Sequence, residues 1–125
     1  MPEAGALRGL RLLIVEDETM VAMLLEDMLG ELGCVVAGFA GTVARGVALA
    51  GSADLALDGA VLDINVGGER VFPVADVLAA RRVPFVFTTG YGVDGLEARY
   101  ADRPTLAKPF QLRTLAAALL QLTRT

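Results

Sequence analysis

The stretch that decides the fold is Gly59–Gly68, "GAVLDINVGG". An apolar run, Ala60-Val61-Leu62, heads for a core and stops at a carboxylate, Asp63. Ile64 resumes the apolar pattern, and the chain breaks at Gly67-Gly68. A charge is expensive to bury alone. Taken by itself, Asp63 reads equally as a turn residue leading into the two glycines.

The same pattern recurs on both sides. Leu10–Val15, "LRLLIV", reads as a buried strand, and Thr19–Leu32 follows as a helix. Met20, Leu24, Leu25, Met28, Leu29 and Leu32 are expected on its inward face, with Gly33 as the stop. "CVVAGF" (Cys34–Phe39) is the second strand and Thr42–Ala50 the second helix. Gly59–Ile64 is the third strand, followed by a helix over Val71–Arg81 with Pro73 in its first turn. "PFVFTT" (Pro84–Thr89) is the fourth strand. Gly92–Arg103 should be a helix, though Gly92 and Gly95 weaken its start. "PTLA" (Pro104–Ala107) is a short fifth strand. Gln111–Thr123 is a helix with Leu112, Leu115, Ala116, Leu119 and Leu122 inward. Continuous apolar strands alternating with helices imply an α/β fold, a five-stranded parallel sheet covered on both faces. One domain over residues 1–125 is expected, with its core at about 10–122 and no output domain.

Composition removes many functions. The net charge of −4 argues against nucleic acid or an anionic membrane as partner. No charge-free apolar stretch reaches membrane-spanning length, and "MPEAGALRGL" lacks the features of a signal peptide. One cysteine, Cys34, allows no internal disulfide and fits the cytoplasm; it reads as a small core residue. The chain has no histidine, which excludes Ser–His and Cys–His nucleophile pairs and any His-containing metal site. Lys108 is the only lysine in a chain that otherwise uses arginine, so the one compact ammonium stands at a single place.

In parallel open sheets, ligands bind beyond the carboxyl ends of the strands. Those ends carry Glu16-Asp17-Glu18, Asp63, Thr88-Thr89-Gly90 and Lys108-Pro109. Clustered carboxylates raise one another's pKa unless a cation joins them. Oxygen donors without His or Cys suit Mg²⁺. A carboxylate beside such a cation and a lysine can attack a phosphoryl group and form an aspartyl phosphate. The Thr89 hydroxyl and the Gly90 backbone N–H could bind the transferring oxygens. Singly, the acidic run reads as a solvated helix start and Lys108 as a surface lysine; jointly they read as a phosphoacceptor site.

With these residues in place, the sequence resembles the receiver domain of bacterial two-component response regulators. The marks are "LLIVEDE" (Leu12–Glu18), "VLDINVGG" (Val61–Gly68), "FTTG" (Phe87–Gly90) and "LAKPF" (Leu106–Phe110), in order, across Leu10–Leu122. The resemblance implies a flavodoxin-like fold of strand order 2-1-3-4-5. It implies Asp63 as phosphoacceptor and Mg²⁺ held by Glu16, Asp17, Asp63 and the main-chain carbonyl of Asn65. Thr89 becomes the switch hydroxyl, Lys108 the phosphate-binding lysine, and Lys108-Pro109 a cis peptide. Glu18 is expected to begin the helix and point away. The implied function is a phosphorelay receiver with intrinsic autophosphorylation and autodephosphorylation. Its donor would be a histidine kinase or a histidine phosphotransfer protein, and its output contact with a downstream protein.

"PFVFTTGY" (Pro84–Tyr91) also resembles the signature of a stand-alone receiver subfamily, Pro-Phe-x-Phe-Ala-Thr-Gly followed by Gly, Ser, Thr or Tyr, with Thr88 in place of Ala. Ordinary receivers carry a Tyr or Phe three residues before the lysine. Here Thr105 stands there, so the switch is expected in Gly90–Arg103, with Tyr91 repositioned. The alternative is a phosphorylation-independent interaction module on the same fold. An Asp-nucleophile hydrolase would want a carboxylate two residues after Asp63, where Asn65 stands. Gly90–Gly95 matches G-x-G-x-x-G, but the acidic residue a dinucleotide site needs about twenty positions on is missing.

Overall fold

The computed structural model describes residues 2–90 and 96–123. Its main sheet is formed by β1 (Arg11–Val15), β2 (Val35–Ala40), β3 (Gly59–Asp63), β6 (Phe85–Thr89) and β7 (Thr105–Ala107). The order is β2-β1-β3-β6-β7 with every pair parallel, which is 2-1-3-4-5 when only the strands of this sheet are counted. Among the described residues five α-helices accompany it: α1 (Pro2–Leu7), α2 (Thr19–Glu31), α3 (Val43–Ala50), α4 (Phe72–Ala80) and α5 (Leu112–Leu122).

Strand alternation divides the core in two. Leu13, Val15, Leu62, Phe85 and Phe87 point to one side and pack with residues of α3 and α4. Leu12, Ile14, Val61 and Val86 point to the other and pack with Leu25 and Leu29 of α2 and Leu115 and Leu119 of α5. All residues of β3 and β6 are buried, as central strands of a doubly covered sheet must be. Each fully buried Leu or Phe stabilises by about 1.5–3 kcal/mol. The fold therefore rests on these central strands.

The boundaries follow local chemistry. Thr42 caps α3 by accepting a hydrogen bond from the Arg45 N–H at 3.1 Å. Gly33 follows α2 with φ +85°, the left-handed conformation that ends helices. After β3 the chain forms a hairpin, β4 (Asn65–Val66) and β5 (Glu69–Arg70). Its two-residue turn is Gly67-Gly68, both at positive φ, the demand of a type I′ turn.

Several expectations need correction. The sequence reading placed the start of the core near Leu10, but α1 precedes it and Leu7 is buried among the residues of α2 and α5. On α2 the buried residues are Ala22, Leu25 and Leu29, while Met20 and Leu24 are exposed. The apolar residues between Met20 and Leu25 occupy nearly the whole helix circumference, and only the i, i+3, i+7 row meets the sheet. On α5, Ala118 joins the buried row while Leu112 and Ala116 are half-buried. No α-helix forms over Ala98–Arg103; a single 3₁₀ turn, Ala98–Tyr100, stands there. Tyr100 explains the turn: it is buried and rings with Phe72, Phe85 and Phe87 at centroid distances of 5.5–6.1 Å. Arg103 lies 4.5 Å above the Phe85 ring. Tyr91 and the expected helix start at Gly92–Gly95 lie outside the described residues.

Candidate functional site

The parallel sheet brings the expected residues to one edge. Glu16 follows β1 and is 2% exposed; its N–H donates to the Ala40 carbonyl at 3.0 Å, so β2 fixes its backbone. Asp63 ends β3 and is 5% exposed. Lys108 follows β7, and its N–H donates to the Thr89 carbonyl at 2.8 Å. The Lys108-Pro109 peptide is cis.

The Lys108 ammonium donates to Glu16 Oε1 at 2.7 Å and to Asp63 Oδ2 at 3.0 Å. It therefore bridges two buried carboxylates that would otherwise repel. The remaining acceptors are also used. Glu16 Oε2 accepts from the Glu18 N–H at 3.0 Å, and Asp63 Oδ1 from the Asn65 N–H at 3.2 Å. Asp17 is exposed, and its Oδ2 accepts from the Gly67 N–H at 2.9 Å, which ties the hairpin to the end of β1.

Burial dominates the titration of Glu16. It pushes the carboxyl up from 4.5 to about 7, against the hydrogen bonds from Lys108 and the Glu18 N–H, and nearby Asp63 adds to the rise. For Lys108, burial works against the charge, but its bonds to Glu16 and Asp63 prevail and raise it above the ordinary lysine value. The ammonium is thus charged at any physiological pH, whereas Glu16 without a metal is near its midpoint at neutrality.

An open cavity of about 460 Å³ lies over this edge, lined by Asp17, Glu18, Asp63, Asn65, Gly68, Gly90 and Lys108. Thr89 is buried and is not among the lining residues. One carboxylate oxygen from each of Glu16, Asp17 and Glu18 lies within 4.8 Å of the others. Glu18 was expected to point away, so this is a correction. Its backbone N–H bond to Glu16 turns the three acids into one cluster. The hairpin was also missed, although the Gly67-Gly68 pair is a hairpin signal.

No protein-family model matches the chain. It is 48% identical to SdrG of Sphingomonas melonis Fr1, covering 91% of this chain and 96% of that one, with a TM-score of 0.79. It is 29% identical to the receiver domain of the response regulator PhyR from Erythrobacter litoralis, covering 94% and 92%, with a TM-score of 0.79. The phyllosphere-induced regulator PhyR of Methylorubrum extorquens is 33% identical over 123 residues, 95% of this chain and 45% of that protein. The chain thus spans less than half the length of this curated relative. With the 2-1-3-4-5 parallel sheet and the near full-length match to SdrG, the chain belongs to the receiver-domain family of response regulators.

Proposed function

We propose that the chain is a phosphoacceptor receiver that takes a phosphoryl group from a phosphohistidine onto Asp63. The observation that carries this reading is the Lys108 ammonium held between Glu16 and Asp63 at 2.7 and 3.0 Å, at the edge of an open polar cavity. An Asp63 oxygen attacks phosphorus as the P–N bond breaks, and the bond pair leaves with the imidazole nitrogen, which is protonated as it departs. The donor is supplied by another protein, a histidine kinase or a histidine phosphotransfer protein, because this chain has no histidine. Lys108 then pairs with a phosphoryl oxygen, and the Thr89 hydroxyl and Gly90 N–H donate to the others. Attack by water later returns the Asp63 carboxylate and inorganic phosphate, so the same residues give slow autodephosphorylation.

The donor set fits Mg²⁺. Carboxylate oxygens of Glu16, Asp17 and Glu18 lie within 4.8 Å of one another, and Asp63 and Asn65 line the same cavity as Asp17; an all-oxygen set suits a hard divalent cation. Asp17, Glu16, Asp63 and the Asn65 carbonyl would hold it. When bound it neutralises charge on the phosphoryl oxygens.

In the cell we place this chemistry in the cytoplasm, consistent with the finding that no helix among the described residues is long and apolar enough to cross a membrane. Output passes to a downstream protein by contact. The likeness of Pro84–Tyr91 to the stand-alone signature supports a place in that subfamily.

Labelling with radioactive acetyl phosphate tests the reading. Label should appear with Mg²⁺, vanish with a chelator, and vanish in Asp63→Asn, which keeps the shape of the side chain. Equal labelling of Asp63→Asn would remove Asp63 from the role.

A further inference from the structure

Among the described residues, the exposed large apolar side chains all lie on two neighbouring elements. They are Met20, Met23 and Leu24 on α2, and Val35 and Phe39 on the edge strand β2. Met23 is 59% exposed and Phe39 47%, so neither is core. Between α2 and β2 runs a groove of about 220 Å³, lined by Ile14, Met23, Val36 and Phe39, with Thr19 and Glu26 as its polar residues. It shares no lining residue with the cavity over Asp63. Exposed apolar surface of this kind, rimmed by polar residues, marks contact sites. Methionine suits it because a flexible thioether adapts to its partner.

Charge narrows the choice of occupant. From Glu16 to Gly33 the sequence carries Glu16, Asp17, Glu18, Glu26, Asp27 and Glu31 and no Lys or Arg. Glu26, Asp27 and Glu31 are exposed, and among the described residues none has an ion-pair partner. A second copy laid α2 against α2 would set these carboxylates against each other. Strand addition along β2 is also opposed. Leu12 pairs with Val36 but Leu13 with Gly38, so Ala37 is an extra, bulged residue in the edge strand. Bulges blunt an edge against regular pairing. What remains is a helix in a groove.

We propose that the α2–β2 face docks a basic amphipathic helix of a partner protein. Its apolar row would seat on Met23, Val36 and Phe39, and its Lys or Arg residues would face Glu26 and Asp27. This site needs no phosphoryl group on Asp63 and stands apart from that chemistry.

The test titrates the isotopically labelled full chain with a helical Leu/Lys peptide, and with its Leu/Glu counterpart, by NMR. The Lys peptide should shift amides in 19–28 and 35–40, and the Glu peptide should not. Met23→Ser and Phe39→Ser should each weaken binding by about 5-fold or more, the range of a residue worth over 1 kcal/mol at an interface. The surface pair Glu26→Lys with Asp27→Lys, which leaves every core contact in place, should reverse the peptide preference. Shifts confined to the Asp63 cavity or to α5, or equal binding of both peptides, would overturn the proposal. A dimer in sedimentation that is lost in Phe39→Ser would also overturn it, assigning the face to a second copy.

Discussion

The edge around Asp63 lies at the carboxyl ends of the strands and the segment from Ala98 leads into the amino end of β7, and the two are held by opposite means. Around Asp63 the ties are charged: Lys108 on two carboxylates, and backbone N–H groups on Glu16, Asp17 and Asp63. Around Tyr100 they are aromatic. The ring packs on Phe72, Phe85 and Phe87, with the Arg99 guanidinium 5.0 Å from its centroid, and its hydroxyl donates to Asp76 Oδ1 at 2.5 Å. Arg99 adds an exposed ion pair to the same Asp76 at 3.2 Å, worth little by itself. The charged region is built for chemistry and answers to ions and pH. The aromatic region is built for position and answers to packing.

Substitutions can break or sharpen that contrast. The largest effect is expected from Lys108→Ala. Removing a preorganised donor to a transition state costs about 10²–10³ in rate, so acetyl phosphate labelling should slow by that order. A change under about 5-fold would show that the ammonium is not aimed at the reacting oxygens. Lys108→Arg should also be impaired, because a planar fork does not replace a compact ammonium.

Next is Tyr100→Ala, which should cost about 3 kcal/mol in urea unfolding, within the range for truncating a buried aromatic. Labelling of Asp63 should survive it. Loss of labelling without loss of stability would show that the two regions are not separable.

A smaller effect is expected from Asp76→Ala. Burial first, then the bond to Asp76, pushes the Tyr100 hydroxyl up to about 12. The protonated phenol is thus favoured by the fold, and its contribution is full below pH 10 and lost as pH rises through about 12. In a Tyr91→Phe background, Asp76→Ala should bring the ultraviolet titration of Tyr100 down toward 10, and cost about 1–2 kcal/mol for the lost charged hydrogen bond. An unmoved titration would mean that burial alone sets it.

The smallest is a pH slope. Glu16 is raised from 4.5 to about 7, mainly by burial. Between those values the folded protein holds a proton that the unfolded chain has lost, so metal-free stability should fall as pH rises through this window. Glu16→Gln should flatten that slope. An identical slope in the variant would place the effect on another group.

The contrast also explains what the sequence could tell. The Asp63 edge was legible because each apolar run stops abruptly at a residue with chemistry, and a parallel sheet must put those stops side by side. Glu18 was misread because helix periodicity places a side chain around an axis but says nothing of a bond from its own N–H to Glu16. The hairpin at Asn65–Arg70 was short enough to hide inside a loop, although Gly67-Gly68 marked it. The segment near Tyr100 was misread because it has the composition of a weak helix. What shapes it is the fit of one ring among three phenylalanines distant in sequence, and no local pattern records that. On α2, Met20 and Leu24 were read as inward with Leu25 and Leu29 because each is apolar. The sheet covers only the row Ala22, Leu25 and Leu29, which leaves Met20 and Leu24 exposed.

The account's central claim is that Asp63 carries the phosphoryl group. The most direct test is to phosphorylate the chain with acetyl phosphate and Mg²⁺, reduce with borohydride, and map the peptides by mass spectrometry. An aspartyl phosphate is reduced to homoserine, so residue 63 should be converted and Asp17 left unchanged. Homoserine at Asp17, or none anywhere despite a stable protein, would contradict the account.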